Sequence, residues 1–225
     1  PPARTGENYA IREGTTTIGS HAFTGNNSIQ KIILPEGFTS IAESAFDKTH
    51  SPSLRIVPDV LVKRKTVLSL QESNGEPFHP DTDYVGSPDL LDKSFTMHVS
   101  TTLSESAFLS GSAVQCVPGA AGYVESSSAV FENIEASGDQ TLRTGICYKD
   151  GNVLIPLFEE DETFTIRLDL DKPVFEGDYS AALSTPFEFN VRDALSGLSS
   201  VSAQQGEGVV EYPGDGAENS NIRLT

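Results

Sequence analysis

The first quarter of the chain carries a pattern of apolar positions that recurs every 23 residues. The segment Ile18–Phe23 recurs as Ile41–Phe46, and Leu34–Glu36 recurs as Val57–Asp59 at the same spacing. A single rung of strand, turn and return arm cannot bury its own apolar side, so copies at constant spacing predict stacked rungs around one continuous core. The next stretch, Val60–Leu70, is predicted as the cap of this stack or as its final strand.

A different pattern follows from Ser94 onward, where apolar and polar residues alternate. Runs with a period of two residues occur at Phe95–Val99, Phe164–Leu170 and Phe187–Val191, and this period is typical of half-buried strands. The stretch Lys149–Asn152 separates two apolar runs and predicts a hairpin turn. Several short strands separated by turns indicate an antiparallel β-sandwich.

The repeated residues resemble the leucine-rich repeats of the BspA-like family. Ala22-Phe23 and Ala45-Phe46 match the Ala-Phe pair of that family's pattern, and Leu34-Pro35 matches the step from strand to proline. The match covers residues 9–62. The resemblance implies a solenoid on a surface or secreted protein, with a role in adhesion or protein binding, and it implies no catalytic chemistry.

These patterns together predict an all-β chain in which a short leucine-rich-repeat solenoid is followed by an antiparallel β-sandwich. The solenoid with its cap is placed at residues 1–70 and the sandwich at residues 94–195. Residues 71–93 contain several Pro and Gly and are predicted as a linker or surface loop. The polar residues 196–225 are predicted as a tail or a connection to a further domain, with one strand at Val209–Tyr212.

Charge excludes some classes of partner. The 225 residues include 32 acidic and 15 basic side chains, which gives a net charge of −17. A surface this acidic repels phosphate backbones, so nucleic-acid binding is disfavoured. No apolar run approaches the roughly 18–20 residues that span a bilayer, so we expect no membrane span in this segment. The start of the chain has neither Met nor a signal peptide, so we expect a segment of a longer protein.

The acid-rich segment before the clearest alternating strand suggests a metal. Together with Phe164–Leu168, it resembles the late strand and preceding acidic turn of Calx-beta domains, whose acidic loops bind calcium. Adjacent carboxylates repel one another in the absence of a cation, although they are also common as solvated turn residues. The resemblance implies five candidate calcium ligands, namely Glu159, Glu160, Asp161, Glu162 and Asp193.

Two further features bear on the cellular compartment. Cys116 and Cys147 are the only cysteines, and they form either one disulfide in an oxidising compartment or two buried thiols. Asn26-Asn27-Ser28 matches the acceptor pattern for N-glycosylation on a predicted repeat turn. Among nine Asn residues, about one such triplet is expected by chance, so the triplet alone decides nothing.

The sequence contains no pattern of catalytic residues. No nucleophile elbow, phosphate-binding loop, dinucleotide fingerprint or paired-histidine metal motif occurs. We therefore predict a non-catalytic, extracellular cell-surface protein without a cofactor other than the suggested calcium. It would bind a protein or cell-surface ligand through the repeat. The alternative is a structural subunit of a surface layer or extracellular fibre, assembled from copies of itself by strand or end-to-end pairing.

Overall fold

The computed structural model describes residues 8–49, 53–58, 62–86, 89–104, 113–172, 174–176, 187–193, 200–205, 208–213 and 219–224. Within these ranges the protein is all-β, with nineteen strands and one short 3₁₀ helix at Gln71–Ser73. No helix in the described ranges has the length and apolar character needed to cross a membrane. The chain divides into two compact units. Unit 1 comprises Pro1–Phe78, Ser94–Glu132 and Thr141–Phe164, and unit 2 comprises His79–Lys93, Asn133–Gln140 and Thr165–Thr225.

The repeat lies in unit 1 and consists of parallel strands stacked one period apart. Its strands are β1 (Asn8–Ala10), β2 (Thr17–Ile18), β3 (Lys31–Ile33), β4 (Ser40–Ile41) and β5 (Arg55–Val57). Strand β3 pairs with β1 on one side and β5 on the other, and β2 pairs with β4. Tyr9 lies opposite Ile32, which lies opposite Ile56. The predicted period is thereby confirmed, with one extra residue between the second and third rungs.

The rungs share one interior, as the sequence predicts. Ile18 lies opposite Ile41 across β2 and β4, and the Phe23 and Phe46 rings stack with centroids 5.4 Å apart and planes 7° from parallel. Phe46 is fully buried. Burial of each large apolar side chain contributes about 1.5–3 kcal/mol, so this stack is a main source of the repeat's stability.

A repeated turn joins the rungs through backbone hydrogen bonds. His21 and Ser44 occupy the same position in successive rungs, and both have left-handed backbone conformations, with φ of 59° and 61°. In this turn, His21 N donates to Ser44 O at 3.1 Å, and Phe23 N donates to Ala45 O at 2.9 Å. Each rung therefore needs carbonyl oxygens from the next rung.

The rest of unit 1 is antiparallel. One sheet has the order β11 (Ser128–Phe131), β8 (Phe95–Leu103), β6 (Arg64–Leu70). In the other, β9 (Ala113–Gly119) lies between β10 (Gly122–Glu125) and β12 (Gly138–Asp150), and β12 also pairs with β13 (Val153–Pro156). Met97 and Val99 are buried on β8, in agreement with the predicted alternation. The described part of the predicted cap, residues 62–70, belongs to the first sheet because β6 pairs with β8.

Unit 2 contains the end of the chain. Its strands are β7 (Tyr84–Gly86), the second part of β14 (Glu162–Asp169), β15 (Val174–Glu176), β16 (Phe187–Arg192), β17 (Ser200–Gln205), β18 (Gly208–Pro213) and β19 (Asn219–Leu224). Strand β7 is parallel to β14, β16 lies between β15 and β19, and β17 and β18 form a hairpin.

The strand content after residue 196 is higher than expected, since only Val209–Tyr212 was predicted there. That prediction falls within β18, but β17 and β19 are additional. Strand β17, with the sequence Ser-Val-Ser-Ala-Gln-Gln, has too few apolar residues to show a two-residue period. Its backbone pairing with β18 leaves no signature in the side chains.

Candidate interaction surface and acidic loop

The strands β1, β3 and β5 present one continuous side to solvent, which we name the strand face. Ile32 and Ile56 point into the core with no exposed surface, so the residues on either side of them point outward. Ile33, on the outward side, is 38% exposed. The strand face has a polar row and an apolar row, namely Asn8, Lys31 and Arg55, and Ala10, Ile33 and Val57.

The hairpin β12–β13 packs on the third rung and continues its strand ladder. Ile56 forms a parallel bridge with Leu157, and Phe158 N donates to Ile56 O at 2.9 Å. Tyr148 meets the Phe46 ring edge to face, with centroids 6.1 Å apart. Four residues from this part of the chain join the repeat's core, namely Ile146, Tyr148, Ile155 and Leu157.

Asp150 completes the turn ladder that the third rung leaves open. Ser44 N donates to Asp150 Oδ1 at 2.9 Å, and Phe46 N donates to Asp150 Oδ2 at 3.0 Å. These two donors correspond, one rung on, to the His21 and Phe23 amides described above. The carboxylate therefore takes the place of two carbonyl oxygens from a following rung. Together with Leu157, it makes the hairpin a cap that substitutes for that rung.

The segment Glu159–Glu162, which we name the acidic loop, follows this hairpin and contacts the basic side chains of unit 1. Glu159 pairs with Lys31 at 2.8 Å, and this contact lowers the pKa of the exposed Glu159 carboxyl. Arg64 donates to Glu160 O at 2.8 Å and lies over the Phe158 ring. Thr66 donates to the Glu162 carboxylate.

The centre of the acidic loop is Asp161, whose side chain is only 2% exposed. Its carboxylate pairs with Arg55 at 3.2 Å and with Arg143 at 2.9 Å. The Tyr123 hydroxyl donates to it at 2.8 Å and accepts from Arg55 at 2.7 Å. Burial of the phenol, followed by its hydrogen bond to Asp161, raises the pKa of Tyr123. One buried carboxylate thus has two guanidinium partners and a neutral phenol, so its negative charge is fully compensated.

The comparisons with known proteins agree with this geometry. Residues 5–67 match the family described as BspA type leucine-rich repeat region (6 copies). Residues 5–67 belong to the BspA-type leucine-rich repeat family. The resemblance predicted for residues 9–62 is thereby confirmed. No curated protein and no solved structure matches the chain.

The structure gives the predicted calcium ligands other contacts. Three of the four loop carboxylates already bond to Lys31, to the two arginines or to Thr66. Asp193 is buried in unit 2. Among the residues that the structure describes, no group of three or more His, Cys, Asp or Glu is arranged to hold a metal. Because guanidinium groups surround Asp161, this donor set suits a cation poorly. Calcium binding and the resemblance to Calx-beta domains stay predictions.

Of the two alternatives for the cysteines, the structure has the disulfide. Cys116 and Cys147 are bonded, with Cα atoms 6.1 Å apart, and both are fully buried. The bond joins β9 to β12, the strand that carries Asp150. Gly145 lies opposite Cys116, and a Cβ there would stand 3.2 Å from Asp161 Oδ1. A larger residue at Gly145 would therefore push on the buried carboxylate.

Proposed function

We propose that this protein is a non-catalytic, extracellular cell-surface protein that acts in adhesion or protein binding through the strand face of its BspA-type repeat. The family itself favours this assignment, since such repeats are typical of surface and secreted proteins. The disulfide supports an oxidising compartment. We assign the protein no cofactor, and its partner is a protein or cell-surface ligand rather than a nucleic acid.

The observation that carries the proposal is the apolar row of the strand face. Ile33 is 38% exposed at the centre of that row, with Ala10 and Val57 directly opposite it on the neighbouring strands. Outward rows on regularly spaced strands offer a partner a rigid surface that loses little conformational entropy on binding. An apolar strip between polar side chains is also the usual composition of a protein interface.

A pair of matched variants tests the proposal. The probe is a panel of purified extracellular proteins immobilised on a sensor surface, over which the whole chain is passed. Ile33→Glu should weaken any detected binding at least tenfold, which corresponds to about 1.4 kcal/mol. Val130→Glu is the control, because Val130 is exposed on β11 and lies outside the repeat. Equal losses in the two variants, or an unchanged affinity for Ile33→Glu, would contradict the proposal.

The asymmetry of the repeat favours a second function, that of a structural subunit assembled from copies of itself. The hairpin cap closes the β5 end of the strand ladder, whereas β1 is the outer strand at the other end of the described sheet β1-β3-β5. Edge strands readily accept a strand from another chain. A concentration-dependent rise in mass by analytical ultracentrifugation would support this function, and a monomer at all concentrations would exclude it.

We also infer a finer description of the fold, in which the repeat is a short solenoid and the antiparallel strands pack as a β-sandwich. Support for the sandwich comes from the apolar sides of the two antiparallel sheets in unit 1. Met97 and Val99 are buried on one sheet, and Cys116 and Ile146 are buried on the other.

A further inference from the structure

The turn after Phe23 is organised by one side chain, that of Asn26. Its Oδ1 accepts from Ser28 N at 3.0 Å, from Ile29 N at 3.2 Å and from the Ser28 hydroxyl at 3.2 Å. The turn lies between β2 and β3, so Asn26 belongs to the connection between rungs and not to the strand face. The side chains of Asn27 and Ser28 are exposed.

These hydrogen bonds fix which way the Asn26 amide points. Backbone N–H groups can only donate, so the atom that faces Ser28 N and Ile29 N must be the carbonyl oxygen. The Nδ2 group therefore points away from these donors, and no hydrogen bond to it is formed within the part of the chain that the structure describes. The neighbouring Gly25 has no atom within 4 Å of the position that a Cβ would occupy, so the turn has open space beside it.

We propose that Asn26 is an N-glycosylation site. The acceptor pattern requires Asn, any residue except Pro, and then Ser or Thr, and Asn26-Asn27-Ser28 fulfils it. The donor would be an oligosaccharide linked to a polyprenyl diphosphate. Nδ2 forms a bond to the sugar's C1 while the bond from C1 to the diphosphate oxygen breaks. One amide proton leaves, and the polyprenyl diphosphate departs with the bonding electrons.

The structure explains why the first rung, and not the second, carries this site. The position 23 residues after Asn26 is Thr49, whose side chain is buried and donates to Phe23 O at 2.9 Å. A modification at Thr49 would disrupt the core. At Asn26, by contrast, Oδ1 makes all of the turn's hydrogen bonds, and glycosylation at Nδ2 leaves that oxygen in place. The fold can therefore keep its turn with a glycan attached.

The inference rests on the proposed extracellular location, because glycosyl transfer occurs on the secretory route. The test is translation of the whole chain, preceded by a cleavable signal peptide, in the presence of eukaryotic microsomes. We expect one discrete increase in mass that peptide N-glycosidase removes, with the modified residue assigned to Asn26 by mass spectrometry. An imported chain with a formed Cys116–Cys147 bond and an unmodified Asn26 would overturn the inference.

Matched variants separate the acceptor from effects on folding. Ser28→Ala keeps both backbone hydrogen bonds of Asn26 but removes the acceptor pattern, so the mass increase should disappear. Ser28→Thr and Asn27→Gln preserve the pattern and should keep it. A mass increase that persists in Ser28→Ala would also overturn the inference. The variant Ile33→Glu should be glycosylated like the wild type, so a failed binding assay and a failed glycosylation assay remain distinguishable.

Discussion

Removal of the Asp150 carboxylate should uncap the repeat. Asp150→Ala deletes two hydrogen bonds from backbone amides to a buried charged group, each of which contributes about 1.5–3 kcal/mol. The amides of Ser44 and Phe46 then have no acceptor. We expect the free energy of unfolding to fall by about 3–5 kcal/mol. Asp150→Asn retains one acceptor but turns an NH₂ group toward the second donor, so its loss should be about 2 kcal/mol.

Urea denaturation measures the loss, with tyrosine fluorescence as the signal because the chain has six Tyr and no Trp. Hydrogen exchange gives a local check, since the Ser44 and Phe46 amides should exchange about a hundredfold faster for a 3 kcal/mol loss. Glu43→Ala is the control, because Glu43 is an exposed carboxylate next to Ser44, and its effect should stay within about 0.5 kcal/mol. Equal stabilities of the two alanine variants, with unchanged exchange at Ser44 and Phe46, would refute the role of Asp150.

Three further predictions concern the same cap. Burial, followed by the nearby Asp150 charge, raises the pKa of Tyr148 from 10.0 to about 12. About 2–3 kcal/mol of stability should therefore be present below pH 10 and lost as the pH rises to 12, and Tyr148→Phe should abolish this loss in pH-dependent unfolding. Asp161→Asn should cost about 3–5 kcal/mol in urea denaturation, since it leaves two buried guanidinium groups without their counter-charge. Loss of the Cys116–Cys147 bond, which closes a separation of 31 residues, should cost about 3–4 kcal/mol when double Ser variants are compared with the oxidised protein.

Each of these predictions can fail on its own. A Tyr148→Phe protein that loses stability above pH 10 as steeply as the wild type would place the titrating group elsewhere. An Asp161→Asn variant as stable as Glu160→Gln, whose exposed carboxylate is the control, would mean that the ion pairs are not coupled to folding. Free thiols detected by alkylation of the native protein would contradict the disulfide.

The repeat could be predicted from sequence because its determinants are local and recur. Ile18 and Ile41 occupy equivalent positions, and stacking of identical units forces such residues to meet, so a constant spacing is sufficient information. The hairpin after Lys149 is predictable for a similar reason, since Gly151 adopts a positive φ in a short turn between two apolar runs.

The cap and the acidic loop could not be predicted, because their partners are distant in sequence. Asp150 is 106 residues from Ser44, and Asp161 is 106 residues from Arg55. In the sequence, Asp150 is an ordinary turn residue, and the acids that follow it resemble a calcium loop. Only the folded chain shows that one carboxylate replaces the backbone of a missing rung and that another is neutralised by arginines. Nothing near Tyr123 or Arg143 in the sequence signals this contact.

The most direct test of the account is a nuclear Overhauser experiment on protein with labelled Phe side chains. The stacked rungs place the Phe23 and Phe46 rings 5.4 Å apart, centroid to centroid, and we predict cross-peaks between their ring protons. The Phe95 and Phe131 rings, 4.6 Å apart on β8 and β11, provide an internal reference. If the Phe95–Phe131 cross-peaks appear and the Phe23–Phe46 cross-peaks do not, successive rungs do not share an interior and the account is wrong.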